Sequence, residues 1–137
     1  MDWVREYVGI PAAREDGGRA GCHCWGLLRL VYREVLGIEM PAYEGAAGPV
    51  ELAEAAAIAR AAAASPSWRR VTGPARSLDL VLLRQGAWPS HVGVAVGGGR
   101  MLHMARGDCA KVESYAAGPW APRLVGVYRH ALAEGRT

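Results

Sequence analysis

The N-terminal part of the chain places apolar residues at steps of three and four, which is the spacing of one helix face. Residues 2–9 follow this spacing and predict a short entry helix. The glycine-rich run 11–21 shows neither helix nor strand periodicity, so it predicts a loop. The apolar spacing resumes over 24–36 and ends at Gly37, a residue favoured just after a helix end. We therefore expect a buried amphipathic helix over 24–36.

The pattern changes in the second half of the chain. Residues 38–49 predict a connector, and 50–64 predict an alanine-rich helix that starts after Pro49. Beyond it, short apolar runs alternate with turn signals such as the glycines at 97–99, and these runs predict strands. The predicted strands are 68–71, 78–84, 91–96, 100–104, 110–114 and 124–130. We expect one antiparallel meander in an α+β fold, with the N-terminal helices packed on this C-terminal sheet.

Length and composition predict a single globular domain over residues 1–137. Of the 137 residues, 51% are hydrophobic and 21% are charged, a balance that supports one hydrophobic core. Lys and Arg number 16 and Asp and Glu number 13, which gives a net charge of +3, but the arginines are scattered along the chain. We therefore expect no nucleic-acid partner.

No segment predicts export or membrane insertion. The N-terminus has no apolar run of signal-peptide length, and Glu51, Glu54 and Arg60 interrupt the longest alanine-rich stretch. We expect synthesis in the cytoplasm without a signal peptide, and no membrane span. Any action outside the cell would then require another component to carry the chain there.

Cys24 is the candidate nucleophile. The chain has three cysteines, and Cys22 and Cys24 are too close in sequence for a good mutual disulfide, so we expect free thiols. Cys24 opens the predicted helix, where unsatisfied N–H groups and the positive end of the helix dipole favour thiolate over thiol. We expect Cys22 to be a packed neighbour and Cys109 a loop thiol.

Two histidines on adjacent predicted strands can activate this thiol. His91 opens a strand and is the candidate base. Pairing Val96 with Arg100 across the glycine turn brings His103 close to His91. His103 is then placed to orient His91 as the third member of a triad. We expect His130, in the last strand, to lie at the surface.

These residues, in this order, resemble the NlpC family of cell-wall cysteine peptidases, which have a circularly permuted papain-like fold. The resemblance covers nearly the whole chain and is strongest in three segments. They are GCHCWGLLRLVYREVLGIEMP (21–41), LDLVLLR (78–84) and SHVGVAVGGGRMLHM (90–104). The family nucleophile, base and polar third residue correspond to Cys24, His91 and His103.

The resemblance implies a substrate, a setting and no cofactor. Family members cleave peptide bonds next to D-amino acids in peptidoglycan stem peptides, commonly between D-glutamate and the diamino acid. The closing segment PWAPRLVGVYRH (119–130) is similar to the variant found in tailed phages and gene transfer agents. It implies a tail-tip peptidase with tail-tip proteins as partners, carried in a virion or phage-like particle and acting in the periplasm or cell wall.

Three further residues are candidates for substrate binding. His23 and Trp25 flank the nucleophile, and Ser90 precedes the base. Trp25 either lines a substrate groove or packs in the core. The family usually has Asp in place of His23 and Tyr in place of Ala12. The change to His removes a negative charge beside the thiolate, which either lowers the pKa of Cys24 further or removes a structural hydrogen-bond acceptor.

Two alternatives of other classes remain. The His23 and Ala12 departures favour a structural tail-tip or plug protein that keeps the peptidase fold without turnover. A Cys/His metal-binding protein is the other alternative, because several ligand types are present. They are Cys22, His23, Cys24, His91, His103 and Cys109. The chain has no Cys-x-x-Cys pair, so we expect no metal site.

Overall fold

The computed structural model describes residues 2–13, 17–40, 67–85, 88–104 and 107–133. The predicted connector beyond residue 40 and the predicted alanine-rich helix over 50–64 lie outside these residues. Among the described helices, none combines the length and apolarity needed to cross a membrane.

The C-terminal half forms a six-stranded antiparallel sheet. Its strands are β1 (Trp68–Arg70), β2 (Leu80–Gln85), β3 (Trp88–Gly97), β4 (Arg100–Met104), β5 (Ala110–Ser114) and β6 (Leu124–His130). The spatial order is β1-β6-β2-β3-β4-β5, so only β2 to β5 form a meander and the expected single meander is wrong. The segment between β5 and β6 contains a 3-10 helix, Gly118–Arg123, and it returns the chain to β2, where β6 separates β1 from β2.

The N-terminal helices are shorter than the apolar spacing predicts. The entry helix is a 3-10 helix over Asp2–Glu6, and the loop that follows it contains a 3-10 turn, Gly18–Ala20. The predicted helix over 24–36 is an α-helix, α1 (Cys24–Val31), continued by a π-helix over Tyr32–Leu36. It ends as predicted at Gly37, whose φ of 70° is a left-handed conformation that glycine adopts without strain.

Alternation along the strands gives the sheet two buried faces, because successive side chains of a strand point to opposite sides. In β2, Leu80 and Leu82 face the main core with the apolar side of α1, whereas Val81 and Leu83 belong to a second cluster on the other face. Trp120, from the 3-10 helix before β6, packs on that second cluster. The expected α+β arrangement, with the helix that begins at Cys24 packed on the sheet, is confirmed.

A buried ion pair joins β6 to the turn before β2. The Arg129 guanidinium donates from Nε and Nη2 to the two carboxylate oxygens of Asp79, both at 2.8 Å. Asp79 also accepts the backbone N–H of Arg76. This pairing holds the start of β2 against the strand that lies beside it.

His130 is buried, so the expectation that it lies at the surface is wrong. Only 5% of the residue is exposed, and its ring meets those of Trp68 and Tyr32 edge-on. Its Nδ1 accepts the backbone N–H of Leu132. β6 lies inside the sheet, and Trp68 of the neighbouring β1 pairs directly with His130, which places its indole beside the imidazole.

Candidate active site

His23 caps the helix that carries the candidate nucleophile. Its backbone is extended, and its Nδ1 accepts the N–H of Gly26 at 3.1 Å. Asp, the usual family residue here, caps helices in the same way through a carboxylate oxygen. His23 therefore supplies the hydrogen-bond acceptor whose loss was one of the two expected consequences of the change. Its predicted substrate-binding role stays a prediction.

Cys24 is the first residue of α1 and is partly exposed. Its thiol has a backbone hydrogen bond with Val92, whose N–H belongs to the peptide group directly after His91. Burial raises the pKa of Cys24, while the backbone hydrogen bonds of Val92, Trp25 and Cys24 itself lower it. The N–H groups at the helix start therefore favour the thiolate as expected, but burial is the larger effect and the pKa of Cys24 is raised on balance.

His91, His103 and Glu113 form a continuous chain of hydrogen bonds. Nε2 of His91 lies 2.8 Å from Nδ1 of His103, and Nε2 of His103 lies 2.7 Å from a carboxylate oxygen of Glu113. His91 is 3% exposed and His103 is fully buried, whereas the Glu113 side chain is 40% exposed. The chain therefore runs from the buried base to a carboxylate that reaches solvent.

Strand register brings these side chains together. The register that the predicted pairing of Val96 with Arg100 implies is present where it matters, because Gly93 pairs with His103. Only next to the turn does an irregularity after Ala95 shift the pairing by one residue, so that Gly97 pairs with Arg100. The absence of a side chain at Gly93 matters, since a Cβ there would lie 3.3 Å from the Cβ of His103. His91 precedes Gly93 by two residues and so projects from the same face of β3 as its imidazole partner in β4.

Glu113 reaches His103 from the next strand. Lys111 of β5 pairs directly with His103, and Glu113 follows it by two residues on the same face. Such diagonal neighbours lie within reach of long side chains. Glu113 was not predicted from the sequence, because its position depends on the register of β5.

Burial holds both histidines in the neutral form. Burial, followed by the positive charges that His103 and Arg123 can contribute, lowers the pKa of His91 from its usual 6.5 to about 3. Burial also lowers the pKa of His103, an effect that Glu113 opposes and Lys111 reinforces. At neutral pH the thiol and His91 therefore form an uncharged pair, and His91 is free of a proton on one ring nitrogen.

Trp120 covers the two imidazoles. Its indole stacks on His91 with ring centroids 5.0 Å apart and meets His103 edge-on at 5.2 Å. The guanidinium of Arg123 lies 5.2 Å from the centre of the same indole. Trp120 was not assigned to the site from the sequence, where the only signal was its position in the closing segment 119–130.

The other predicted residues lie around this centre. Trp25 is 6% exposed and belongs to the main core, which is one of the two positions expected for it. Ser90 precedes His91 in β3, and its predicted role in substrate binding stays a prediction. Ala12 forms an isolated parallel bridge with the buried Cys22, and the partly exposed Cys109 forms an isolated antiparallel bridge with Pro11. Within the part of the chain that the structure describes, no three His, Cys, Asp or Glu side chains gather as a metal-binding group.

The fold and sequence are similar to those of one family. The NlpC/P60 family model matches residues 13–129. An NLP/P60 family protein of Staphylococcus aureus, described as similar to lipoprotein, superposes with a TM-score of 0.65 at 21% identity. That alignment covers 95% of this chain and 39% of the staphylococcal protein, so this chain spans well under half of that relative.

Two other solved structures are similar in size to this chain. The NlpC/p60 domain of the peptidoglycan hydrolase SagA superposes with a TM-score of 0.55 at 24% identity, over 81% of this chain and 82% of that domain. The P60 domain of an antigen from M. avium subspecies paratuberculosis gives 0.57 at 18% identity, over 94% and 89%. These likenesses confirm the expected papain-like NlpC-type fold. No curated protein matches the sequence.

Proposed function

This chain belongs to the NlpC/P60 family, and we propose that it is a cysteine peptidase that hydrolyses peptide bonds in the stem peptides of bacterial peptidoglycan. The proposal rests mainly on the hydrogen bond between the Cys24 thiol and the backbone of Val92, which places the thiol next to the strand that bears His91. A partly exposed thiol at a helix start, a buried imidazole and a second imidazole that orients it are the parts that thiol-based acyl transfer requires.

The mechanism begins with an uncharged pair. His91 takes the thiol proton as the Cys24 sulfur attacks the carbonyl carbon of the scissile bond. N–H groups at the start of α1, including that of Cys24, stabilise the negative charge that develops on the carbonyl oxygen. The imidazolium of His91 then protonates the leaving amine, and a thioester remains on Cys24. A water molecule, deprotonated by His91, hydrolyses the thioester and restores the thiol.

Two observations support peptidoglycan as the substrate. The NlpC/P60 family includes peptidoglycan hydrolases, and SagA, whose NlpC/p60 domain has the same fold, is described as one. The net charge of +3 favours approach to an anionic wall polymer, although salt weakens this attraction. Delivery by the tail tip of a phage or gene transfer agent remains a prediction that rests on the resemblance of segment 119–130.

Digestion of purified peptidoglycan tests the proposal. Wild type should release stem-peptide fragments that mass spectrometry assigns to one cleaved bond, and Cys24→Ala should release none. Cys109→Ala is the matched control, because Cys109 is also a partly exposed free thiol but lies outside the histidine chain. It should give the wild-type digest. Identical digests from wild type and Cys24→Ala would overturn the peptidase proposal and favour the structural tail-tip alternative.

A further inference from the structure

We propose that Glu113 is a positioning residue, which fixes the proton of His103 on Nε2 and thereby leaves the lone pair of His91 on Nδ1, ready to accept the thiol proton. This inference rests on the proposed function for its consequence in catalysis. Its structural part concerns the three linked side chains alone and can be measured without turnover.

The contact between Glu113 and His103 fixes the direction of the first hydrogen bond. An ionised carboxylate can only accept, so the 2.7 Å contact requires a proton on Nε2 of His103. The carboxylate is partly exposed and therefore keeps its negative charge solvated, while the imidazole that it meets is fully buried. Glu113 thus brings a solvated charge to a buried ring.

The direction of the second hydrogen bond follows from the first. A neutral His103 with its proton on Nε2 has a lone pair on Nδ1 and accepts there. The 2.8 Å contact with His91 then requires a proton on Nε2 of His91. Since His91 is also neutral, its Nδ1 carries the lone pair, and this nitrogen can serve as the base for Cys24.

Without the carboxylate, the reverse arrangement becomes available. A proton on Nδ1 of His103 would donate to Nε2 of His91, and His91 would then carry its own proton on Nδ1. In that state His91 cannot take a proton from Cys24. Both arrangements keep the hydrogen bond between the two imidazoles, so the pair alone does not choose between them. The Glu113 carboxylate stabilises the arrangement in which both imidazoles carry their protons on Nε2.

The charged groups around the two imidazoles give Glu113 a second effect. Lys111 of β5 and Arg123 of the 3-10 helix before β6 both disfavour a positive charge on the histidines. Glu113 opposes them, since its hydrogen bond and charge raise the pKa of His103. When His91 becomes an imidazolium during attack, the Glu113 carboxylate therefore stabilises the charge through His103.

Three variants separate positioning from structure. Glu113→Gln can still accept from Nε2 through its amide oxygen, so it should keep the tautomers and lose only the charge. Glu113→Leu removes the acceptor. Glu39→Gln is the matched control, because it removes an exposed carboxylate that lies outside the histidine chain. Thermal unfolding identifies any variant that has lost its fold. Glu113→Gln should fold normally, because the side chain is partly exposed and Gln is nearly isosteric with Glu.

The tautomers are read directly by NMR of protein labelled with ¹⁵N-histidine. Wild type, Glu113→Gln and Glu39→Gln should show Nε2–H forms of His91 and His103, and Glu113→Leu should show Nδ1–H forms or a mixture. On a muropeptide substrate, Glu113→Leu should lower kcat roughly 100-fold with KM within about twofold, the size of a lost general base. Glu113→Gln should recover most of that loss.

Two results would overturn the inference. One is a folded Glu113→Leu protein with the wild-type tautomers, and the other is Nδ1–H forms of both histidines in wild type. A protein that shows the expected tautomer change but digests no peptidoglycan would contradict the proposed peptidase function and leave the positioning role of Glu113 standing. The two proposals can therefore fail separately.

Discussion

The indole of Trp120 lies nearly parallel to the imidazole of His91, with ring centroids 5.0 Å apart and planes inclined by 14°. The stack covers one face of a base that is only 3% exposed. Because water is kept from this face, the charged form of the imidazole loses solvation, and burial is the largest cause of the low pKa of His91. Trp120 therefore contributes to the burial that lowers the pKa of His91.

Trp120→Ala should raise the pKa of His91 from about 3 towards its usual 6.5, because water gains access to the ring. At pH 5 to 6 more of the base would then be protonated, and kcat/KM should fall relative to the value at pH 7.5. Histidine NMR titration and a pH profile of muropeptide cleavage check both effects. Trp120→Phe keeps an aromatic cover and should resemble wild type. An unchanged midpoint for His91 in Trp120→Ala would contradict the role of the stack.

Acid should destabilise the protein through its buried histidines. The pKa of His91 is lower in the folded state than in the unfolded chain, so its contribution to stability is complete above about pH 6.5 and is lost as pH falls towards 3. Linkage gives a loss of about 2 kcal/mol from His91 between pH 7.5 and pH 5. The pKa values of His103 and His130 are also lowered, so they act in the same direction.

Urea unfolding across this pH range measures the effect. The free energy of unfolding should fall with pH in wild type and fall less steeply in His91→Asn, which lacks the titrating group. A free energy of unfolding that stays constant from pH 7.5 to pH 5 would show that these rings do not remain neutral in the folded protein.

Local patterns predicted those parts of the fold that depend on neighbouring residues. The helix stop at Gly37 and the strand runs follow from spacing and turn residues, and the glycine turn predicted that His91 and His103 would meet. The position of Glu113 depends on the register of β5 against β4. The position of Trp120 depends on the path of the segment that follows β5. No local pattern in the sequence specifies either, so these two partners of the histidines appear only in the folded structure.

The order of the sheet was missed for the same reason. β6 carries the alternation expected of any strand, and nothing in it specifies pairing with β2 in place of β5. The buried pair of Asp79 and Arg129, fifty residues apart in sequence, joins β6 to the start of β2. Two charged residues at that separation are common in soluble proteins, so the pair was not predicted.

Asp79→Leu should lower the free energy of unfolding by about 3–5 kcal/mol, because the buried Arg129 guanidinium would lose its hydrogen bonds to the Asp79 carboxylate. The double variant Asp79→Leu with Arg129→Met removes both charges and should lose less than the two single substitutions together. Denaturant unfolding of wild type, Asp79→Leu, Arg129→Met and the double variant forms a double-mutant cycle. Additive losses would show that the two side chains do not depend on each other.

Gly93→Ala should damage the site through His103. A Cβ at Gly93 would lie 2.7 Å from the Sδ of Met101, 3.2 Å from its Cβ and 3.3 Å from the Cβ of His103, so the Met101 side chain must move and the backbone of β4 must give slightly. The expected cost is about 1–3 kcal/mol of stability, with a fall in kcat as the two imidazoles separate. Gly73→Ala is the matched control, since a Cβ there meets nothing within 4 Å. Equal stability and kcat for the two variants would contradict a close fit at Gly93.

Substitutions at His23 separate its two effects on Cys24. His23→Ala removes the acceptor for the Gly26 N–H and should cost about 1 kcal/mol of stability. His23→Asp keeps an acceptor and adds a negative charge at the helix N-terminus, so its stability should equal or exceed that of wild type. The same charge disfavours the neighbouring thiolate, which raises the pKa of Cys24 and should slow its alkylation by iodoacetamide at pH 8. Urea unfolding measures the effect on stability, and alkylation rates followed by mass spectrometry measure the effect on the thiol. A His23→Asp protein as unstable as His23→Ala would show that the imidazole does more than cap the helix.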